Sequence, residues 1–458
     1  MRIVTTNRLI TGILLCCTLL LGGCSWFGNS STPSPSSHHS ATPIVEGSHT
    51  IETGDIHNAE LDLLLNIKTN GFNNDSSIND GLGGLYINWR YGTQPLQTNV
   101  NGTGETDDVS GQPLRHDALT DLRYLHNLWL YTVQNPGDKQ FDSDRERFTK
   151  IVQMEFKNSH NERGWLYDEF MDLYNLSHDS FYQETAQSLA ASYAKNFDPT
   201  VGSIYKTSAN AQGSYRVDLT LESGCALVEA GTQFNHPDWI QDGISTINFI
   251  YSHAYIPQYH TFPSQMNNVL TSDHTVNPQE AFFNGRTKNY TVNGDQLQLG
   301  NISQMIVSLL DTYQVTQNQD FLQKATDLLD PLTNTNNSLG LWDPTNGGYF
   351  FSVKFQGDSP TNAGPLAVVT TRKEAGRQAI MLMAFHLANK FTNNKYQEME
   401  NLMRAVSLQH IYVPSVHGAL YLVNADWSTQ KFKNGTNNDM VTTEAMGALL
   451  ESLFYLNR

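Results

Sequence analysis

The sequence predicts an all-α fold, an (α/α)6 barrel of six helical hairpins with short β-hairpin loops on one face. Three observations predict it. First, six times a helix-breaking loop, usually carrying Gly and an aromatic residue, runs into a small-residue-rich apolar helix that opens on charged or polar residues. These openings are His116-Asp117, Asp168-Glu169, Asp218 to Glu222, Gln296 to Gln298, Arg372 to Glu374 and Thr443-Glu444. A unit recurring every ~50 to 80 residues buries its apolar face only against its neighbours, which is the logic of a repeat architecture. Second, the helices alternate in character. Segment 374–388 is apolar nearly all round and reads as buried, whereas 395–404 is charged on one side and reads as facing water. Third, long connections fall only before the apolar members, so the loops and the N-termini of six inner helices converge on one face.

In chain order, Arg2 and Arg8 form a short basic region before the apolar stretch Leu9 to Leu21. That stretch is too short to span a bilayer comfortably and has the anatomy of an export signal. Leu21-Gly22-Gly23-Cys24 follows and resembles the lipobox of bacterial lipoproteins. The resemblance implies that 1–23 is a signal peptide, that Cys24 is lipidated, and that the protein is anchored to the cell membrane on its extracytoplasmic face. Two or more acyl chains give stable anchoring where one is marginal. Residues 24–50, rich in Ser, Pro and His, bury too little surface to offset chain entropy and read as a disordered tether. No second linker interrupts 51–458, which reads as one barrel domain.

Within that domain helical periodicity predicts helices over 55–68, 115–134, 141–157, 166–176, 180–196, 216–233, 237–254, 296–314, 319–333, 372–391, 395–409 and 440–457. Turns such as Ser177-His178-Asp179 and Thr392-Asn393-Asn394 join them in pairs. Turns this short make antiparallel neighbours. The final segment, 440–457, is expected to pair with 55–68 and close the ring. The loop before 166 shows Gly164-Trp165-Leu166-Tyr167, and later loops show Gly347-Gly348-Tyr349-Phe350 and Gly418-Ala419-Leu420-Tyr421; the loop around Phe282-Phe283 lacks the glycine pair. An open α-solenoid is the alternative, but its loops would be more even in length.

Composition narrows the partners. With 45 acidic against 28 basic residues the formal charge is -17, and nucleic acids and other polyanions need a basic footprint that is absent. A neutral ligand fits better. Cys225 is the one cysteine after Cys24, so no internal disulfide forms within the barrel and Cys225 reads as a small core residue. No phosphate-binding Gly loop, His-Glu-x-x-His, paired-Cys motif or Gly-x-Ser-x-Gly elbow appears. No cofactor is therefore expected; the adjacent pair Asp107-Asp108 in the Gly-rich loop 101–111 leaves calcium open without a recognisable ligand spacing, no other metal is expected, and the chain is read as a monomer.

The loop face gathers carboxylates and aromatics, the mixture that suits sugars: rings pack on pyranose C–H faces while carboxylates bond hydroxyls. Expected substrate-binding residues are Asp117, Trp165, Tyr167, Asp218, Glu222, Trp342, Tyr349 and Glu374. Carboxylates at helix starts also serve as caps. Arg372-Lys373-Glu374 with Arg377 is the one basic cluster on the face, read as neutralising Glu374 rather than holding an acidic sugar.

One segment is more specific. Trp165-Leu166-Tyr167-Asp168-Glu169-Phe170, then Tyr174, Ser177-His178-Asp179, Phe181-Tyr182 and Ala186, resembles glycoside hydrolase family 76, the endo-α-1,6-mannanases. The resemblance implies Asp168 as nucleophile and Glu169 as acid/base of a two-carboxylate mechanism, the pair splaying to about 5 Å. Glu169 stands where the family has a second Asp, and Phe170-Met171 replace its Trp. The expected activity is hydrolysis of a neutral polysaccharide, with α-1,6-mannan the candidate. Two alternatives stand beside it: a sugar epimerase of the same barrel, with His116 as one proton-transfer group, and a non-catalytic glycan-binding lipoprotein.

Overall fold

Twelve α-helices occupy the described residues: α1 (Thr53–Asn66), α2 (Ala118–Gln134), α3 (Asp142–Phe156), α4 (Leu166–Ser177), α5 (Ser180–Lys195), α6 (Val217–Gln233), α7 (Pro237–His253), α8 (Leu299–Thr316), α9 (Gln319–Leu329), α10 (Ala375–Phe391), α11 (Gln397–Val406) and α12 (Thr443–Tyr455). The computed structural model describes residues 53–98, 116–157, 163–204, 215–267, 269, 275–276, 282–286, 291–431, 435 and 437–457. The signal, the tether with Cys24, and Asp107-Asp108 lie outside them.

The even-numbered helices form the inner ring and the odd-numbered ones pack around it as hairpin partners. Alternating burial follows from the sequence pattern. Along α10 the buried positions run almost without break from Ala375 to Asn389, while α9 buries Phe321, Ala325, Thr326, Leu328 and Leu329 on one stripe. α12 packs on α10, on α2 and on α1, so the predicted closure of 440–457 against 55–68 is observed. This is the (α/α)6 barrel expected from the six-fold recurrence. Cys225 is buried in α6. Among the described residues no helix is long and apolar enough to cross a membrane.

At three inner-helix starts a strand replaces the whole predicted first turn. Residues 296–298, 372–374 and 440–442 are strands rather than first helical turns, pairing antiparallel with Ser352–Phe355, Leu422–Asn424 and Asn88–Arg90. Backbone groups from neighbouring loops take up these N–H and C=O groups, which ties the loops of adjacent hairpins together around the mouth. Gly-containing loops make a second set of contacts. Phe72–Asn73 pairs with Gly84–Leu85, Phe197–Asp198 with Ser203–Ile204, and Tyr412–Val413 with Gly418–Ala419, each between an outer helix and the next inner one.

Candidate active site

Where the inner-helix N-termini meet, a cavity of about 330 Å³ opens. Carboxylates Asp117, Asp218, Glu222, Glu374 and Glu444 line it with Arg123, Arg163, Arg216 and Arg377. Trp165, Phe351 and Tyr421 supply aromatic surface.

Each helix start sets its own side chain. Asp117 caps α2, its Oδ1 accepting from the Leu119 N–H at 3.0 Å. Asp218 in the first turn of α6 receives a two-pronged Arg216 contact, Nε to Oδ1 at 2.9 Å and Nη2 to Oδ2 at 2.5 Å, and a hydrogen bond from the Asn301 side chain. Arg377 of α10 bonds Glu374 at 3.1 Å and Glu444 at 2.7 Å, so this arginine does neutralise acids across the mouth.

Glu222 differs from its neighbours. It lies one turn below Asp218 on the same face of α6 and is 3 % exposed. Its Oε2 has no hydrogen-bond partner among the described residues. Burial, reinforced by the Asp218 charge, pushes its pKa up to about 8 against the pull of Arg163, Arg216 and Arg377. Glu374 is likewise raised by burial, to about 7.

Asp168 and Glu169 lie a layer deeper. α4 has 12 residues against 17 in α2 and α6, and Gly164 just ahead of it meets the backbone of Glu222, a turn and a half into α6. The first turn of α4 therefore starts roughly two turns, ~10 Å, below the α6 N-terminus. The pair lines a gap of about 40 Å³ under the mouth, shared with His126, Asp311 and Glu451. Glu169 Oε1 is 3.0 Å from His126 Nδ1, whose Nε2 is 3.3 Å from Asp172. Burial alone would lower the His126 imidazole, but Glu169 and Asp172 outweigh it and push it up to about 10. Burial would likewise raise Glu169; His126 holds it down instead. Asp168 goes the other way, raised by burial and by Glu229. Beyond Asp168 a second cavity of about 320 Å³ lies among Asp172, Glu229, Asp311 and Tyr455, toward the opposite ends of the helices.

Of the expected sugar-binding residues, Asp117, Trp165, Asp218, Glu222 and Glu374 come together at the mouth. Tyr167, Trp342 and Tyr349 do not line it. Tyr167 is buried with its hydroxyl 2.6 Å from Gln233 Oε1. Trp342 packs edge-on against Tyr349 at 5.3 Å, and the Tyr349 hydroxyl donates to the Leu332 carbonyl. These rings close hairpins. Lys373, expected on the face, is fully buried and bonds Asp343, Gly347 and Ala425. His116 contacts Leu85 and Glu155 instead of lining the cavity.

Sequence reasoning passed over Arg123 and Arg163. Arg123 sits 4.9 Å over the Trp165 ring and forms an ion pair with Glu451 at 3.1 Å. An arginine inside the apolar run Leu122-Arg123-Tyr124-Leu125 and a glutamate inside α12 were the available signal, since a buried charge needs a partner.

No family model matches this chain, and a search of curated proteins finds no match. Solved structures do. An unsaturated glucuronyl hydrolase specific for heparin is similar with a TM-score of 0.60 at 15 % identity, over 88 % of this chain and 96 % of that one. A family 76 glycoside hydrolase from a bovine Bacteroides thetaiotaomicron strain gives a TM-score of 0.55 at 11 % identity, over 89 % and 78 %. A D-mannose isomerase gives 0.55 at 11 % identity, over 88 % and 98 %. At these identities the likeness shows the (α/α)6-barrel fold that they share with this chain.

Proposed function

We propose that this protein is a glycoside hydrolase that takes a neutral glycan into the mouth cavity and uses Glu222 as proton donor. Glu222 is the observation that carries the reading. A carboxyl in a sugar-sized cavity, with an unpartnered oxygen and a pKa near 8, is a proton donor at neutral pH. It gives its proton to the glycosidic oxygen as the bond from that oxygen to the anomeric carbon breaks. Asp117 supplies the second carboxylate. Its Oδ1 caps α2, which leaves Oδ2 for the water or the anomeric centre. Trp165, Phe351 and Tyr421 are the rings for sugar faces.

Charge supports a neutral substrate. Five carboxylates face four arginines in the lining, so neither sign dominates. Arg216 and Arg377 are engaged by Asp218, Glu374 and Glu444. α-1,6-Mannan is the first polymer to test, on the resemblance carried by 165–186. The lipobox-like Leu21-Gly22-Gly23-Cys24 supports anchoring through Cys24 at the extracytoplasmic face.

A second reading puts the chemistry on Asp168 and Glu169. Their opposite pKa displacements favour it, because an acid and a base need environments that push them apart. It requires the glycan to reach the narrower gap of about 40 Å³ beneath the mouth, past Arg123 and Trp165. The epimerase alternative has less support, since no histidine is among the described residues lining the mouth.

Reducing-end release across a polysaccharide panel tests the proposal. Turnover of neutral polymers is expected; turnover confined to uronic acid polymers overturns the neutral assignment, and tight binding without turnover favours the glycan-binding alternative.

A further inference from the structure

Beside the mouth, but outside its lining, three electron-rich groups converge on one point. His116 Nε2 lies 2.6 Å from Glu155 Oε1 and 3.4 Å from Asp121 Oδ2. One ligand atom from each residue falls within 4.8 Å of the other two. Asp121 is 0 % exposed, and neither its Oδ2 nor Glu155 Oε2 has a hydrogen-bond partner among the described residues. Something positive belongs between them. A proton shared by Nε2 and Glu155 Oε1 accounts for the 2.6 Å contact, and burial together with the Glu155 charge pushes the Asp121 carboxyl well up, so a cation there takes the place of a second proton.

The surroundings already orient these groups. His116 Nδ1 faces the Leu85 carbonyl at 3.4 Å, which directs the Nε2 lone pair inward. The Leu85 N–H donates to Asp121 Oδ1 at 2.9 Å, and Asn79 Nδ2 donates to Glu155 Oε1 at 2.7 Å and to the Gly83 carbonyl. Asn79 Nδ2 is also 3.4 Å from His116 Nε2. Outer bonds of this kind are what fix metal-ligating imidazoles and carboxylates. Space is kept by Gly84, where a Cβ would come within 2.3 Å of His116 Cε1 and 2.7 Å of Asp121 Oδ2.

We propose that His116 Nε2, Asp121 Oδ2 and Glu155 Oε2 bind a divalent transition-metal cation of the zinc type. Bonds of ~2.1 Å in a tetrahedral site put neighbouring ligand atoms ~3.4 Å apart, the separation found between His116 and Asp121. Glu155 turns so that Oε2 enters while Oε1 keeps the Asn79 bond, which relieves the 2.6 Å contact. An imidazole with two carboxylates suits zinc or manganese better than calcium, which takes six to eight oxygens. The ion would pin the hairpin at Gly84–Leu85 and α3 to the start of α2, where the next residue, Asp117, lines the mouth. This inference does not depend on the glycosidase reading.

Zinc titration of the chelator-treated full chain, read by competition with a chromophoric chelator, tests it. One equivalent is expected, with Tm raised by roughly 2 °C or more at hundredfold excess over Kd. Asp121→Asn keeps the shape and should lose that equivalent, while His38 and His39 of the tether stay intact as a control. If Asp121→Asn fails to fold by circular dichroism, Glu155→Gln takes its place. Absence of a stoichiometric equivalent, equal binding by the wild type and the folded variant, or preference for calcium over zinc would each overturn the site.

Discussion

In the proposed reaction a single carboxyl sets the chemistry at the residue scale. Glu222 is buried in the lining of the mouth, one of its oxygens without a hydrogen-bond partner among the described residues, and it holds its proton up to about pH 8. A general acid works only in its protonated form. The rate on an unactivated glycan should therefore hold toward neutrality and fall tenfold per pH unit above about 8. A pH–rate profile checks this; a decline that begins near pH 4.5 would mean that the donor is an ordinary exposed carboxylate. Which residues reach the mouth was partly legible. Asp117, Asp218, Glu222 and Glu374 stand at the starts of inner helices in the sequence and line the cavity. Asp168 and Glu169 have the same signature but lie lower, because sequence periodicity does not record how far along the barrel axis a helix begins.

At the element scale, the short α4 builds the site. By starting below its neighbours it leaves room over Trp165, and the approach of Gly164 to the Glu222 backbone fixes its height. A Cβ on Gly164 would sit 2.2 Å from Glu222 carbonyl atoms, with no flexible side chain to give way. Gly164→Ala should destabilise by about 1–3 kcal/mol and disturb Glu222, so denaturant melts and turnover should both show a loss. An unchanged melt would mean that the approach is looser than the structure has it. The Gly-Trp pair was legible as a loop signal, but its reason, contact with a helix far along the chain, was not. The strands at 296–298, 372–374 and 440–442 were read as helix for a related reason. Three residues cannot display a period of two, and their pairing partners lie 48 to 354 residues away.

At the scale of the whole molecule, six-fold recurrence determines the barrel and the barrel determines where chemistry can sit. The inner helices were legible because burial on all sides leaves a strong pattern, and closure followed from the leftover apolar faces of the first and last helices. Parallel inner helices bring six N-termini, with their unpaired N–H groups and positive dipole ends, to one mouth. Of the carboxylates there Asp117 is a side-chain cap, and all five surround any ligand that enters. In the proposed reaction this upper layer, not the Asp168–Glu169 layer beneath it, breaks the glycosidic bond. Turnover of a natural glycan by Glu222→Gln and by Asp168→Asn, each shown to be folded, tests that claim most directly. Glu222→Gln should lose about 10²- to 10⁴-fold on the glycan and much less on an activated aryl glycoside, while Asp168→Asn stays within about tenfold of wild type. Near-native glycan turnover by Glu222→Gln together with abolished turnover by Asp168→Asn would contradict it.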